Sequence, residues 1–217
     1  MCDFIFNGSK IGPFELTDYV KNHFKDDLNT ILNDEDALSE ICNRSTVHSN
    51  GFLKIVLKSY NGQKLRLHIW KDSPLLQEHE PHSHRWDFVS YILKGVMINE
   101  IVEESNDENK TFLKCKAHGM IVGSKRDYDI ISKSSLRLNK KEIFKQGEVY
   151  TLSGDKIHIA KISPHTLTAT LFVTSEPLYE TSFVYMPDLT SPPSGLVLES
   201  LSIEELKKQI TNVISWI

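Results

Sequence analysis

Apolar residues repeat with two different periods along this chain. Between Phe14 and Cys42 the period is helical: Leu16, Val20, Phe24 and Leu28 fall four apart, and Ile31, Leu32 and Leu38 follow. Thr17-Asp18 and Asn33-Asp34 carry the short polar side chains that start or break helices, so the 14–42 stretch predicts two short helices. After Gly51 the pattern becomes extended. Phe52 to Leu57 reads as a strand, Asn61-Gly62 as a hairpin turn, and Lys64 to Trp70 as the returning strand. Further strand-like runs are 87–93, 96–102, 111–116, 127–131, 147–152, 157–162 and 167–173, with an edge strand at 182–186. Lys94-Gly95, Asn106-Asp107, Ser153-Gly154 and Ser163-Pro164 separate them. Many short strands joined by tight turns predict an antiparallel barrel or sandwich rather than a parallel sheet.

A proline-rich connection from Pro187 to Gly195 leads to a last helix over 202–215, opened by Ser202, Glu204 and Glu205 and carrying Leu206, Ile210, Val213 and Ile214 near one face. No internal repeat interrupts the chain. A single domain over residues 1–217, with its barrel at 52–186, is the expected organisation.

Chemistry concentrates in Pro81-His82-Ser83-His84-Arg85-Trp86-Asp87-Phe88, with Gly95 seven residues on. On a strand, His82 and His84 share a face, because side chains alternate with a period of two. A third histidine, His158, follows the Gly154-Asp155 turn and opens another strand-like run. In a closed antiparallel barrel, strands remote in sequence become neighbours, which lets three such imidazoles converge on one metal ion.

Composition narrows the partners. The 217 residues carry 25 basic and 29 acidic side chains, a net charge of -4 that gives no basic field for nucleic acid. No apolar run approaches membrane-spanning length, and Met1-Cys2-Asp3-Phe4 does not open like a secretory signal. Cys2, Cys42 and Cys115 are odd in number and far apart, which suits reduced thiols in a cytoplasmic protein rather than a disulfide framework.

The run His82-Ser83-His84, with Gly95 at its spacing and Gly147, Gly154 and His158 later, resembles the two motifs of the cupin superfamily over roughly residues 52–177. The resemblance implies an all-β cupin double-stranded β-helix, an antiparallel jelly-roll barrel, with N-terminal helices and a C-terminal helix. Phe88 stands where the acidic cupin ligand is usual. Within the superfamily the chain is most similar to the thiol dioxygenase branch exemplified by cysteine dioxygenase. The matching stretches are Gly62-Gln63-Lys64 with Trp70, His82-Ser83-His84, Ile92-Leu93-Lys94-Gly95, and Ile157-His158 through Ile162-Ser163.

That resemblance implies iron(II) held by His82, His84 and His158, with zinc, nickel or manganese as alternatives. It implies a non-haem dioxygenase that uses O2 on a small thiol or amino-acid-like anion. Three neutral imidazoles leave the ion's double charge uncompensated and favour an anionic ligand at its open positions. The branch's substrate-binding arginine has its nearest counterparts in Lys54 and Arg66, and its serine–histidine–tyrosine triad region is Thr170-Leu171-Phe172-Val173-Thr174, without histidine or tyrosine. Its cross-linking cysteine falls at Phe88.

Among the remaining polar residues, Arg66, His68 and Trp70 share one strand face and line the barrel only if that face turns inward. Lys54, Arg66, Trp70, Phe88 and Thr170 are the candidates for contact with substrate. His79, Asp87 and Glu100 are the candidates to orient the ligating histidines. His79 reads as a fourth ligand, an orienting group or part of a rim loop. Asp87 is out of phase with His84; its structural alternative is a pair with Arg85 or a nearby lysine on the outer wall. His165 reads as an exposed turn residue, and His23, His48 and His118 have no supporting constellation. Competing functions are a metal-dependent cupin isomerase or lyase, favoured if Asp87 or Glu100 reaches the ion, and a non-catalytic binding cupin. A homodimer is compatible with the sequence but is specified by nothing in it.

Overall fold

The structure is a computed structural model that describes residues 11–48, 51–106, 111–117, 128–187 and 199–217. Cys2, His118, Asp107, Asp127 and the 188–195 part of the proline-rich connection lie outside them. Three helices open the chain: α1 (Pro13–Asn22), α2 (Phe24–Leu32) and α3 (Glu35–Arg44). The break at Asn33-Asp34 is where the polar pair predicts it, and the Asp34 carboxylate caps α3 by accepting from the Ala37 N–H at 3.0 Å. Thr17-Asp18 starts nothing. It lies inside α1, whose end at His23 makes the third helix.

Thirteen strands follow among the described residues. They are β1 (Thr46–Val47), β2 (Phe52–Tyr60), β3 (Gln63–Trp70), β4 (Gln77–Glu78), β5 (Phe88–Lys94), β6 (Val96–Ser105), β7 (Thr111–Ala117), β8 (Tyr128–Lys145), β9 (Val149–Leu152), β10 (Ile157–Ile162), β11 (Thr168–Thr174), β12 (Ser182–Pro187) and β13 (Glu199–Ser200). Helix α4 (Ile203–Ile214) closes the chain behind a Ser202 cap. The one long strand missing from the sequence reading is β8 beyond Ile131; its lysines, serines and arginine are largely exposed, so it lacks an alternating apolar signal.

Two antiparallel sheets form, ordered β13-β1-β2-β3-β11-β5-β9 and β12-β7-β8-β6-β10-β4. Within them, β3-β11-β5-β9 opposite β4-β10-β6-β8 is the strand order of an antiparallel jelly roll, the double-stranded β-helix. Late strands insert between early ones: β11 separates β3 from β5, and β10 separates β4 from β6. That interleaving carries His158 to the segment holding His82.

The first sheet is covered on both faces. Leu53, Ile55, Leu65, Leu67, Ile69, Val89, Leu171 and Val173 pack against Leu16, Tyr19, Phe24, Leu28, Leu38, Leu206, Ile210 and Val213 of the helices. The opposite parity, with Phe52, Trp70, Phe88, Ile92 and Phe172, forms a second core between the sheets with Met97, Tyr150, Ala160 and Ile162. Burial on both faces explains why β11 is buried along its whole length, its three threonines included, instead of alternating between buried and exposed residues. It also settles the orientation of Arg66 and His68. The helices take Leu65, Leu67 and Ile69, so the alternate residues turn into the barrel.

Candidate metal centre

His82 and His84 do not stand on a regular strand, contrary to expectation. They lie in an extended segment before β5 that is fastened by single bridges to strands on either side. The His82 N–H donates to the His158 carbonyl at 3.0 Å, and the His158 N–H donates back at 2.9 Å. Ser83 N–H donates to Phe183 O at 2.9 Å, while the Ser83 hydroxyl accepts from Phe183 N–H. Alternation survives in this extended backbone, so both imidazoles point inward and Ser83 points away.

The ligand-capable atoms of His82, His84 and His158 all lie within 4.8 Å of one another. Nε2 of His84 and Nε2 of His158 are 2.9 Å apart. Two nitrogens about 2.1 Å from one ion and at right angles to each other stand about 3.0 Å apart, so this spacing fits adjacent positions on a single ion.

Neighbouring acceptors set the tautomers. Nδ1 of His158 lies 2.7 Å from Asn99 Oδ1, and Nδ1 of His82 lies 2.8 Å from the Glu80 carbonyl. Both oxygens only accept, so each Nδ1 carries a proton and each Nε2 lone pair is left for the cluster. Burial, reinforced by the neighbouring histidines, holds the imidazolium forms of His84 and His158 well below their ordinary range. The two rings are therefore neutral at pH 7, as ligation requires.

A separate clamp fixes the His84 backbone. The His84 N–H donates to Gly154 O at 2.8 Å, and the Gly154 N–H donates to Asp87 Oδ1 at 2.9 Å. The Ser153 hydroxyl donates to the same carboxylate oxygen at 3.1 Å. Gly154 is pressed so closely on this segment that a Cβ would sit 2.6 Å from the Trp86 carbonyl oxygen. Asp87 thus pairs with neither Arg85 nor a lysine on the outer wall; it holds the turn that precedes His158.

The other expected residues divide clearly. Glu100 does not orient a ligand: it faces outward to Lys161 at 2.7 Å and Lys141 at 3.5 Å, because strand alternation gives the inward position to Asn99. Asn99, 1% exposed, is the orienting residue the sequence reading missed. Its signal was an amide, rare within strands, in phase with the buried Met97. His79 belongs to no rim loop; it is buried, and its Nε2 accepts from Trp70 Nε1–H at 3.2 Å. His79 lies outside the three-histidine group. Burial, with His82 nearby, pushes its pKa down to about 3.

Phe88 does not line the cavity. Its ring packs edge-on against His84 at a centroid distance of 5.2 Å and lies 4.3 Å from Phe172, giving the centre an apolar wall. His165 is exposed in a turn, as expected.

Beside the histidines opens a cavity of about 340 Å³, onto which Lys54, Arg66, His68, Trp70 and Thr170 face. His48, Trp86 and Tyr150, none of them among the candidates for contact with substrate, also line it. Arg66 is 7% exposed, and its guanidinium carbon stands 4.9 Å from the Trp86 ring centroid. Burial lowers the Arg66 pKa to about 10, which still leaves it charged at neutral pH. Burial pushes Tyr150 up to about 12, so it is a neutral phenol. Among the described residues, Arg66 Nε, His68 Nε2, Trp86 Nε1 and Thr170 Oγ1 are buried without a hydrogen-bond partner. Unpaired buried polar atoms are costly, and four on one cavity mark a place shaped for a polar ligand.

No protein-family model and no curated protein matches the chain. Solved structures of double-stranded β-helix proteins share features of the fold. An uncharacterised conserved protein with such a domain from Klebsiella pneumoniae is 13% identical, with a TM-score of 0.37, over 68% of this chain and 93% of its own. A cupin superfamily protein from Desulfitobacterium hafniense is 12% identical, with a TM-score of 0.35, over 59% and 81% of the two chains. Hydroquinone 1,2-dioxygenase from Sphingomonas sp. is 8% identical, with a TM-score of 0.37, over 58% and 67%. Likenesses this remote carry no activity to this protein, whose candidate centre stands on its own geometry.

Proposed function

We propose that this protein is a metal-dependent oxygenase of three-histidine type that acts on a small organic anion, with iron(II) as its metal. The observation that carries this reading is the convergence of His82, His84 and His158 without a carboxylate among them. Phe88 supports it by filling with an aromatic ring the wall where a fourth, acidic ligand would stand. Such a donor set leaves the ion's double charge uncompensated and favours a thiolate or carboxylate as the exogenous ligand. A ferrous ion bound there supplies redox chemistry with dioxygen.

The chain's own residues orient the reactants. Asn99 and the Glu80 carbonyl hold two imidazoles with their Nε2 lone pairs inward. Arg66 supplies a fixed positive charge for the anionic end of the substrate, and Phe52, Trp70 and Phe172 exclude water around it. A metal-dependent isomerase or lyase would need a carboxylate as acid–base group near the ion. Asp87 holds the Gly154 turn and Glu100 faces Lys161, so neither residue supports that reading.

Anaerobic titration of Fe(II) into wild type and His84→Ala tests the centre, followed by oxygen uptake with a panel of small thiols and organic acids. One tight iron per chain, lost in the variant, together with uptake dependent on a panel member, is expected. Tight iron binding with no substrate-dependent uptake across the panel would reject the oxygenase.

A further inference from the structure

The cavity beside the histidines is basic although the chain is acidic overall. Lys54, Lys64, Arg66 and Arg85 line it, with Glu80 as the one carboxylate among its described lining residues, while the chain carries a net charge of -4. Lys54, Lys64 and Arg66 come from the β2–β3 hairpin. Lys54 pairs in register with His68, and Lys64, Arg66 and His68 alternate along one face. These cations disfavour one another: burial and then the charge of Arg66 lower the Lys64 pKa. Among the described residues neither Lys64 nor Arg66 has a carboxylate within ion-pair reach. Two cations brought together in a half-buried wall without an acid between them raise the energy of the empty pocket, and a doubly charged anion relieves that repulsion better than a single carboxylate.

The unpaired donors add direction to the charge. Arg66 Nε–H and Trp86 Nε1–H only donate, Thr170 Oγ1–H can donate, and all three are buried without partners on this cavity. Thr170 and Phe172 on β11 pair in register with His68 and Arg66 on β3, so these groups share one patch of inner wall. Three donors on different strands and segments, backed by a lysine, suit the several oxygens of a tetrahedral oxyanion.

We propose that this patch binds a phosphoryl or phosphonyl group, so that the substrate is a small phosphorylated or phosphonylated molecule whose other end reaches the metal centre. The inference rests on the reading of this cavity as the substrate pocket, and it is independent of the redox chemistry assigned to the histidines.

The test is calorimetric titration of inorganic phosphate, methylphosphonate, acetate and malonate into metal-stripped wild type, His84→Ala, Arg66→Met, Lys64→Gln and the control Lys71→Gln, whose side chain pairs with Glu205 and does not line the cavity. Circular dichroism serves as the check of folding. Phosphate and methylphosphonate are expected to bind wild type, His84→Ala and Lys71→Gln alike, with acetate at least tenfold weaker. Arg66→Met should weaken phosphate at least tenfold and Lys64→Gln severalfold. Should Arg66→Met fail to fold, Lys64→Gln decides alone. Acetate or malonate binding as tightly as phosphate, or phosphate binding unchanged in folded Arg66→Met or Lys64→Gln, would overturn the proposal. Loss of phosphate binding in His84→Ala would overturn it too, by placing the anion at the histidines. Failure of iron binding with phosphate binding intact would reject the oxygenase while leaving this inference standing.

Discussion

Nε2 of His84 and Nε2 of His158 lie 2.9 Å apart, although 74 residues separate them in the chain. Two bare lone pairs repel at that distance, so without a metal one nitrogen must carry a proton. Asn99 already assigns the proton of His158 to Nδ1. The metal-free pair is therefore held by a His84 Nε2–H donating to His158 Nε2, and a metal would displace that proton.

The first prediction follows from this relationship. Nitrogen-15 imidazole spectra of metal-free protein should show His158 protonated at Nδ1 and His84 at Nε2, with the His84 proton leaving Nε2 when metal is added. Asn99→Ala should weaken metal binding by about 10–100-fold in competition with a chromophoric chelator, the cost typical of losing a group that orients a ligating histidine. Unchanged affinity would remove Asn99 from the site.

The clamp behind His84 predicts a sensitivity at a residue that touches no ligand. In Gly154→Ala the new methyl would crowd the His84 and Trp86 carbonyls. A cost of about 1–3 kcal/mol in urea denaturation is expected, together with weaker metal binding, because relief of the clash moves His84. Asp87→Ala should reproduce the metal defect without the clash. Stability loss with metal affinity intact would limit the clamp to a role in folding.

Acid should destabilise the metal-free protein. His79 titrates at about 3 when folded, against an ordinary value of 6.5. Between those values the unfolded chain binds the proton that the folded chain refuses, so stability falls as pH drops. For His79 alone, going from pH 7 to pH 5 costs about 2 kcal/mol. Buried His68, also shifted well below its ordinary value, acts in the same direction. Urea midpoints in chelator at several pH values check this, and a midpoint independent of pH between 7 and 5 would contradict the burial of these rings.

Metal removal should lower stability through mass action. At free metal about a thousandfold above Kd, binding adds about 4 kcal/mol, or a melting shift on the order of 10 °C for a chain of this size. Calorimetry with and without chelator measures it. His82→Ala should melt at the same temperature in both buffers.

Much of the fold is legible in local patterns. Asn61-Gly62 announces the β2–β3 hairpin, and the helical spacing from Leu16 to Leu28 marks the buried face of α1 and α2. The polar strand β8 escapes because its exposed residues carry no periodic apolar signal. At the site, His82, His84 and His158 stand out by spacing. Asn99 and Glu100 show the limit of such reading: both are polar neighbours on β6, and a one-residue change of parity separates the imidazole partner from a surface ion pair.

The sequence by itself determined residue types and periods: an extended HxH segment, a later histidine behind a glycine turn, an aromatic residue at Phe88, and strands enough for a barrel. Tertiary structure alone decided which faces look inward. Helix packing against Leu65, Leu67 and Ile69 turned Arg66 and His68 into the cavity, and insertion of β10 between β4 and β6 brought His158 to His84. Periodicity defines two faces of a strand without naming the one that is covered; only the elements packed against it choose.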